Sequence, residues 1–104
     1  MKQLDLIAIY RHFRPQGQIR KLQEECTELA EAIHISMTAY MGDAHKAMQT
    51  PAVITEMADV TVMLAQFKFC EPELWEQITE EAECKIQRTL ERMETGYYEP
   101  TNQH

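Results

Sequence analysis

Residues 51–69 read PAVITEMADVTVMLAQFKF, a stretch that is apolar on nearly every side of a helix. Thr50, just before it, is a favoured N-cap residue, and Pro51 suits the first helical position, where its missing N–H is not needed. A helix that is apolar all round lies at the centre of its fold or of an oligomer. The stretch therefore predicts a helix that is central either to the fold of the chain or to an oligomer.

The rest of the chain also favours helices. It contains only three glycines and four prolines. It also lacks segments of alternating apolar and polar residues bounded by turn residues, which would indicate β-strands. We expect a first helix over 1–13, ended by Pro15, Gln16 and Gly17, and a helical turn within the polar linker 43–49. A fourth helix is expected from Glu71-Pro72 to about Thr95, closed by Gly96. The sequence predicts an all-α protein.

The helix before the linker should run over about 18–40 and end at Gly42 and Asp43. Its apolar residues recur at spacings of four, three and four, which is the spacing of one buried stripe. That stripe comprises Leu22, Cys26, Leu29 and Ile33. Glu25 and Glu28 fall on a partly apolar flank of the same helix, whereas Glu31 should face water.

Two acids, Glu56 and Asp59, interrupt the otherwise apolar helix, about 60° apart on a helical wheel. A carboxylate buried there must be neutralised, paired or metal-bound, because burying it alone costs several kcal/mol. A second acidic cluster, formed by Glu24, Glu25 and Glu28, lies on the preceding helix. Packed antiparallel, the two helices would gather the oxygen ligands that Mg²⁺ prefers. The alternative is that the acids face water or pair with lysine and arginine.

The fourth helix carries a basic strip, formed by Lys85, Arg88 and Arg92 at positions i, i+3 and i+7. Near a magnesium cluster, such a strip could hold the outer oxygens of a polyphosphate. Ordinary pairing along the helix surface, Lys85 with Glu81 and Arg88 with Glu91, explains the same residues without a ligand.

The charge and composition of the chain argue against several classes of protein. A net charge of −7, from 10 basic and 17 acidic residues, argues against a nucleic-acid-binding surface. No apolar run approaches the ~18 residues of a membrane span, and no signal peptide is apparent. Three scattered cysteines without C-x-x-C spacing predict buried, unpaired thiols in a reduced, cytoplasmic protein. We expect one domain over 1–104, with an irregular tail over 97–104.

The acidic and basic clusters together resemble a known family. Residues 18–32 (QIRKLQEECTELAEA), 56–60 (EMADV) and 85–88 (KIQR), followed by Arg92, are similar to the MazG-like branch of the all-α nucleoside triphosphate pyrophosphohydrolases. The paired pattern E-E-x-x-E and E-x-x-D is the signature of that superfamily. The resemblance covers about residues 18–92.

The resemblance implies a four-to-five-helix bundle completed by oligomerisation into a dimer or tetramer. It also implies Mg²⁺-dependent hydrolysis of a nucleoside or deoxynucleoside triphosphate to the monophosphate and pyrophosphate, with Mn²⁺ able to substitute for Mg²⁺. By position, the metal ligands would be Glu25, Glu28, Glu56 and Asp59, with Glu24 as a further catalytic member of the cluster. Phosphate or substrate contacts would come from Lys85, Arg88, Arg92 and Gln18.

Two rival hypotheses come from other functional classes. One is a catalytically silent helical module that binds a nucleotide or a partner protein. The other is a di-metal oxidoreductase bundle, suggested by the spacing of Glu31 and His34. Such bundles need the E-x-x-H motif on two helices, and here it occurs once. A surface position for His34 is therefore the favoured interpretation.

Overall fold

A computed structural model describes residues 1–97, and this part of the chain is all-α, as the sequence predicts, with no β-strand. Its four helices are α1 (Gln3–Ala39), α2 (Ala44–Ala47), α3 (Pro51–Cys70) and α4 (Pro72–Glu94). The predicted bounds of α3 and α4 are confirmed to within one residue, and the turn expected in the linker is α2. None of these helices has an apolar stretch long enough to cross a bilayer.

The chain divides into two compact units, one spanning Met1–Glu71 and the other beginning at Pro72. The first unit holds α1, α2 and α3, and the second holds α4. The single domain expected over 1–104 stays a prediction. The irregular tail expected over 97–104 lies, beyond Tyr97, outside the described residues.

The break expected between the first two helices is much shorter than predicted. Only Arg14 leaves the helical conformation, with φ 65° and ψ 158°, and α1 continues on both sides of this kink. The predicted break between two helices is therefore confirmed, but it lies at Arg14 alone, and Pro15, Gln16 and Gly17 already belong to the helix that follows. Proline is tolerated in the first turn after a kink, where its N–H would have no helical acceptor, while the residue before it is forced away from helical ψ.

The buried stripe of α1 also differs from the prediction. Cys26 and Ile33 are exposed, and Leu22 and Leu29 are only half-buried. The buried positions of this helix are instead Leu6, Tyr10, Gln18, Glu25 and Ser36. The buried face is thus rotated by roughly 60°, about half the step of one residue, and it passes through polar side chains. The contacts with α3 at these positions are hydrogen bonds and carboxylate contacts as well as apolar packing.

Four pairs of polar residues show that α1 and α3 run antiparallel. Each pair joins a residue of α1 to a residue of α3 or of its caps. In order along α1, the pairs are Tyr10 with Glu71, Gln18 with Gln66, Glu25 with Asp59, and Ser36 with Thr50. Apolar residues from both helices, including Leu6, Val53, Met63 and Phe67, form the core between them. This register brings the two acidic motifs to the same level.

Thr50 begins α3 as predicted, and its hydroxyl links three elements. The backbone N–H of Val53 donates to Thr50 Oγ1 at 3.4 Å, which caps the helix. Thr50 in turn donates to the carbonyl of Ala47 at 3.0 Å, so that Ser36 Oγ, also at 3.0 Å, must be the donor to Thr50. The cap therefore ties α1, α2 and α3 together.

Helix α4 has no buried residue. It ends in a Schellman turn, in which Gly96 has φ 74° and the Tyr97 N–H donates to the Arg92 carbonyl at 2.9 Å. The predicted closure by Gly96 is confirmed. The prediction of buried thiols is wrong, since Cys26 and Cys84 are exposed and Cys70 is half-buried, although all three are free.

Candidate metal centre

Three carboxylates converge where α1 and α3 pack together. One oxygen each from Glu25, Glu56 and Asp59 lies within 4.8 Å of the other two. Glu25 comes from α1, whereas Glu56 and Asp59 are neighbours on the same side of α3 because they are three residues apart. The convergence expected from the sequence is therefore found for three of the four predicted metal ligands.

Two oxygens of this cluster are buried without a hydrogen-bond partner among residues 1–97. Glu25 is only 4% exposed, and its Oε2 atom makes no hydrogen bond. Glu56 Oε2 is likewise buried and unpaired. An unsatisfied buried polar group costs about 1–3 kcal/mol, and more when it is charged. The arrangement is therefore incomplete without a further positive or hydrogen-bonding group at this point.

The pKa of Glu56 reflects this crowding. Burial raises the pKa of the Glu56 carboxyl above its ordinary value, and the negative charges of Glu28, Asp59 and Glu25 add to the shift. A nearby cation would reverse the effect, since it favours the ionised form of each carboxylate. The charge of Glu56 therefore needs compensation.

Glu25 is partly compensated by a lysine one helical turn earlier. Lys21 Nζ lies 2.9 Å from Glu25 Oε1, and this hydrogen bond lowers the pKa of Glu25 against the opposing effect of burial. Sequence reasoning did not single out Lys21 as a site residue. The signal was present, because Lys21 precedes Glu25 by four residues, which is the spacing of an ion pair on a helix.

The donor set fits a hard divalent cation. All three groups are carboxylates, the ligands that Mg²⁺ and Ca²⁺ prefer, and two of them carry the unpaired buried oxygens. Around Mg²⁺, ligand oxygens are at most ~4.2 Å apart. The separations of up to 4.8 Å therefore require only a small side-chain adjustment to close on such an ion.

The other two predicted acids lie at the margin of the cluster. Glu28 is exposed and outside the close group of three, although its charge contributes to the raised pKa of Glu56. The Glu24 side chain is 65% exposed, and its carboxylate lies 4.0 Å from Lys21 Nζ. Both positions face water, so neither residue has the enclosed geometry of Glu25.

A cavity of about 470 Å³ opens beside the cluster. Its polar lining includes Gln18, Lys21, Glu25, Asp59 and Gln66, and its apolar lining includes Ile9, Phe13, Val62 and Met63. Gln18 was a predicted substrate contact, and it is buried here. Gln66 was missed, although a lone amide on an apolar helix, seven residues after Asp59, lies on the same face as the acids.

The predicted phosphate contacts lie on α4, in the second unit. Lys85 Nζ is 4.0 Å from Glu81, which is the surface pairing weighed against a ligand role. The Arg92 guanidinium lies over the ring of Tyr97, 4.6 Å from its centroid. Arg88 is exposed. The roles of these three residues stay predictions, since α4 belongs to the second unit and the carboxylate cluster to the first.

Comparisons of the chain with protein-family models, with curated proteins and with solved structures returned no match.

Proposed function

We propose that the chain is a Mg²⁺-dependent nucleoside triphosphate pyrophosphohydrolase of the MazG-like all-α type. It would convert a nucleoside or deoxynucleoside triphosphate and water into the monophosphate and pyrophosphate. The observation that carries this proposal is the convergence of Glu25, Glu56 and Asp59 from two helices, with two buried oxygens that have no partner. Exposed acids on a helix surface would have water for those oxygens.

In the proposed reaction, water attacks the α-phosphorus. A new P–O bond forms while the bond to the bridging oxygen of the β-phosphate breaks, and pyrophosphate leaves with the electron pair. When bound, Mg²⁺ would neutralise charge on the phosphate oxygens and lower the pKa of a water molecule at the site. The three carboxylates would hold the ion, and the packed helices around Glu25 would keep bulk water away from it.

The cavity beside the cluster supports a substrate with an organic part. Its volume of about 470 Å³ lies in the range of small-molecule sites. Most of its lining surface is apolar, although five of the lining residues are polar. Phe13 could stack on a base, and the Gln18 amide could hydrogen-bond to one. We therefore propose that the nucleoside lies in this cavity while the phosphates point towards the carboxylates.

The proposal assigns the basic strip of α4 to the outer phosphates. Lys85 and Arg88 would contact the substrate, and Arg92 would contribute through its bidentate guanidinium. For Lys85, the pairing with Glu81 is weak competition, because both side chains are largely exposed and surface ion pairs contribute little.

Apolar residues exposed on two helices support an oligomer. On α4, the side chains of Leu74, Ile78, Ile86, Leu90 and Met93 are 42–61% exposed. On α3, Ile54 and Met57 are 56% and 48% exposed. Each of these helices thus exposes large apolar side chains, and exposed apolar surface of this kind marks an interaction site. We propose that copies of the chain associate through it as a dimer, or as a tetramer of dimers, which sedimentation at micromolar concentration would test.

The decisive experiment is a panel of ribo- and deoxyribonucleoside triphosphates, incubated with and without Mg²⁺. The products should be identified as monophosphate plus pyrophosphate rather than diphosphate plus phosphate. Wild-type protein should release pyrophosphate only with the metal, and Glu56→Ala and Asp59→Ala should abolish release while keeping helical content. Turnover at the wild-type rate in both variants would remove these residues from the site. Nucleotide binding without turnover in the wild-type protein would favour the silent module.

A further inference from the structure

Lys21 is the cation that the structure holds against the carboxylate cluster. Its Nζ atom is 2.9 Å from Glu25 Oε1 and 4.0 Å from Glu24 Oε2. Within residues 1–97, no other lysine or arginine forms an ion pair with the three cluster carboxylates. The two ends of the main pair differ in environment, since the Lys21 side chain is 52% exposed and that of Glu25 is 5% exposed.

A divalent cation and the Lys21 ammonium would compete for Glu25. The cluster has at least three acidic groups and a single ammonium, so one cation does not balance its charge. The carboxylate of Glu25 can turn to the ion only if it gives up some of its attraction to Lys21. The lysine can leave readily, because it is a point charge on a flexible four-carbon stem and half of its side chain is already in water.

The displaced Lys21 ammonium can move into the cavity beside the cluster. Lys21 lines the cavity beside the cluster together with Gln18 and Asp59. In the proposed function, the substrate phosphates lie between this cavity and the carboxylates, within reach of a lysine side chain anchored there. A phosphate oxygen would then replace the carboxylate oxygen as the partner of the ammonium.

We infer that Lys21 is an exchangeable counter-ion, which pairs with Glu25 in the metal-free protein and passes to a substrate phosphate when the ion binds. This inference rests on the proposed function. It makes Lys21 a positioning residue and couples the two binding events. The metal ion releases the lysine for the phosphate, and the phosphate removes a competitor of the metal ion, so that each tightens the binding of the other by the same factor.

The first test is calorimetric titration of metal-free protein with Mn²⁺. Lys21→Met should bind Mn²⁺ at least ~5-fold more tightly than Lys46→Met does. A factor of about five is the lower end of the coupling between two binding sites in proteins. Lys46 is an exposed lysine on α2 that forms no ion pair within the described part of the chain. Its variant removes one positive charge, as Lys21→Met does, without touching the cluster. Lys21→Gln is a second variant, and circular dichroism checks that each one folds.

The second test repeats the titrations in the presence of methyl phosphate. In the wild-type protein and in Lys46→Met, methyl phosphate should tighten Mn²⁺ binding by at least ~5-fold. In Lys21→Met, the gain should be less than about twofold, because no lysine is exchanged. An equal gain in all three proteins would overturn the inference, as would a Lys21→Met variant that binds Mn²⁺ no more tightly than Lys46→Met.

A further arm separates this inference from the proposed function. Glu56→Gln should lose Mn²⁺ binding if the ion binds at the cluster. If wild-type protein and Lys21→Met both fail to bind Mn²⁺, the metal site and the exchange are both wrong. If Mn²⁺ binds in a Glu56-dependent way but Lys21→Met behaves like Lys46→Met, the exchange alone is wrong and the metal site stands.

Discussion

Gln18 donates a hydrogen bond of 2.6 Å to Gln66 Oε1 and joins α1 to α3 beside the carboxylate cluster. Gln66 Nε2 donates to the carbonyl of Val62 at 3.4 Å. Because a carbonyl can only accept, this bond fixes the orientation of the Gln66 amide, and with it that of Gln18. Each glutamine lies seven residues, or two helical turns, from a cluster carboxylate, Glu25 or Asp59, so the pair sets the register of the site.

Breaking this pair from one side should destabilise the protein. Gln66→Leu leaves the buried Gln18 amide without its acceptor, and we expect the free energy of unfolding to fall by about 1–3 kcal/mol. Gln18→Leu should have a similar effect. Replacing both amides removes the unsatisfied group, so the double variant should lose much less than the sum of the two single variants. Urea unfolding of the four proteins measures this, and strict additivity would show that the amides act independently.

The cap of α3 should contribute measurably to stability. Thr50→Ala removes the acceptor for the Val53 N–H and the partner of Ser36. We expect a loss of about 1 kcal/mol in the free energy of unfolding, whereas Thr50→Ser keeps the hydroxyl and most of that stability. Thermal and urea unfolding would show the difference. Equal stability of the alanine and serine variants would mean that the cap contributes nothing.

The end of α1 carries a residue in a costly conformation. Met41 has φ 53° and is 94% exposed, and its N–H and that of Gly42 close a Schellman turn onto Thr38 and Met37. Glycine is the favoured residue at this position. Met41→Gly should therefore raise the free energy of unfolding by about 0.5–1 kcal/mol. Gly42→Ala, at φ 85°, should lower it by about 1 kcal/mol. A less stable Met41→Gly variant, or a more stable Gly42→Ala variant, in urea unfolding would contradict this account.

The metal-free protein should become less stable as the pH rises towards neutrality. The pKa of Glu56 is raised, first by burial, so its contribution is complete below its ordinary value of 4.5 and is lost as the pH rises through the folded-state pKa. The pKa of Glu25 is lowered, mainly by Lys21, so its contribution changes only below 4.5.

Urea unfolding in the presence of a chelator, between about pH 5 and pH 7, isolates the Glu56 contribution. Glu56→Gln should remove this decline, and Mg²⁺ should restore stability to the wild-type protein near neutral pH. A slope that is identical in the wild-type protein and in Glu56→Gln would contradict the account of the cluster.

The fold could be predicted where local signals agree. Thr50 and Pro51 mark the start of α3, and Gly96 marks the end of α4, because caps and glycine turns are properties of a few adjacent residues. The break was predicted at residues 15–17 rather than at Arg14. Pro15 distorts the residue before it and is itself the start of the next helical segment. The buried stripe of α1 was misplaced because its centre contains Gln18 and Glu25, which an apolar pattern does not reveal.

The part of the site that depends on a single helix could also be predicted from the sequence. An acid on an apolar helix is a strong signal, so Glu56 and Asp59 could be found from α3 alone. Lys21 and Gln66 were missed because their roles depend on a partner on the same face or on the other helix. The register that pairs Gln18 with Gln66 arises only when α1 and α3 are packed.

The most direct test of the central claim is the anomalous diffraction of crystals grown with Mn²⁺. We predict a strong metal peak in contact with carboxylate oxygens of Glu25, Glu56 and Asp59, with Lys21 turned away from Glu25. Crystals that diffract well and contain Mn²⁺ elsewhere, but show Lys21 still paired with Glu25 and no peak between the three carboxylates, would contradict it.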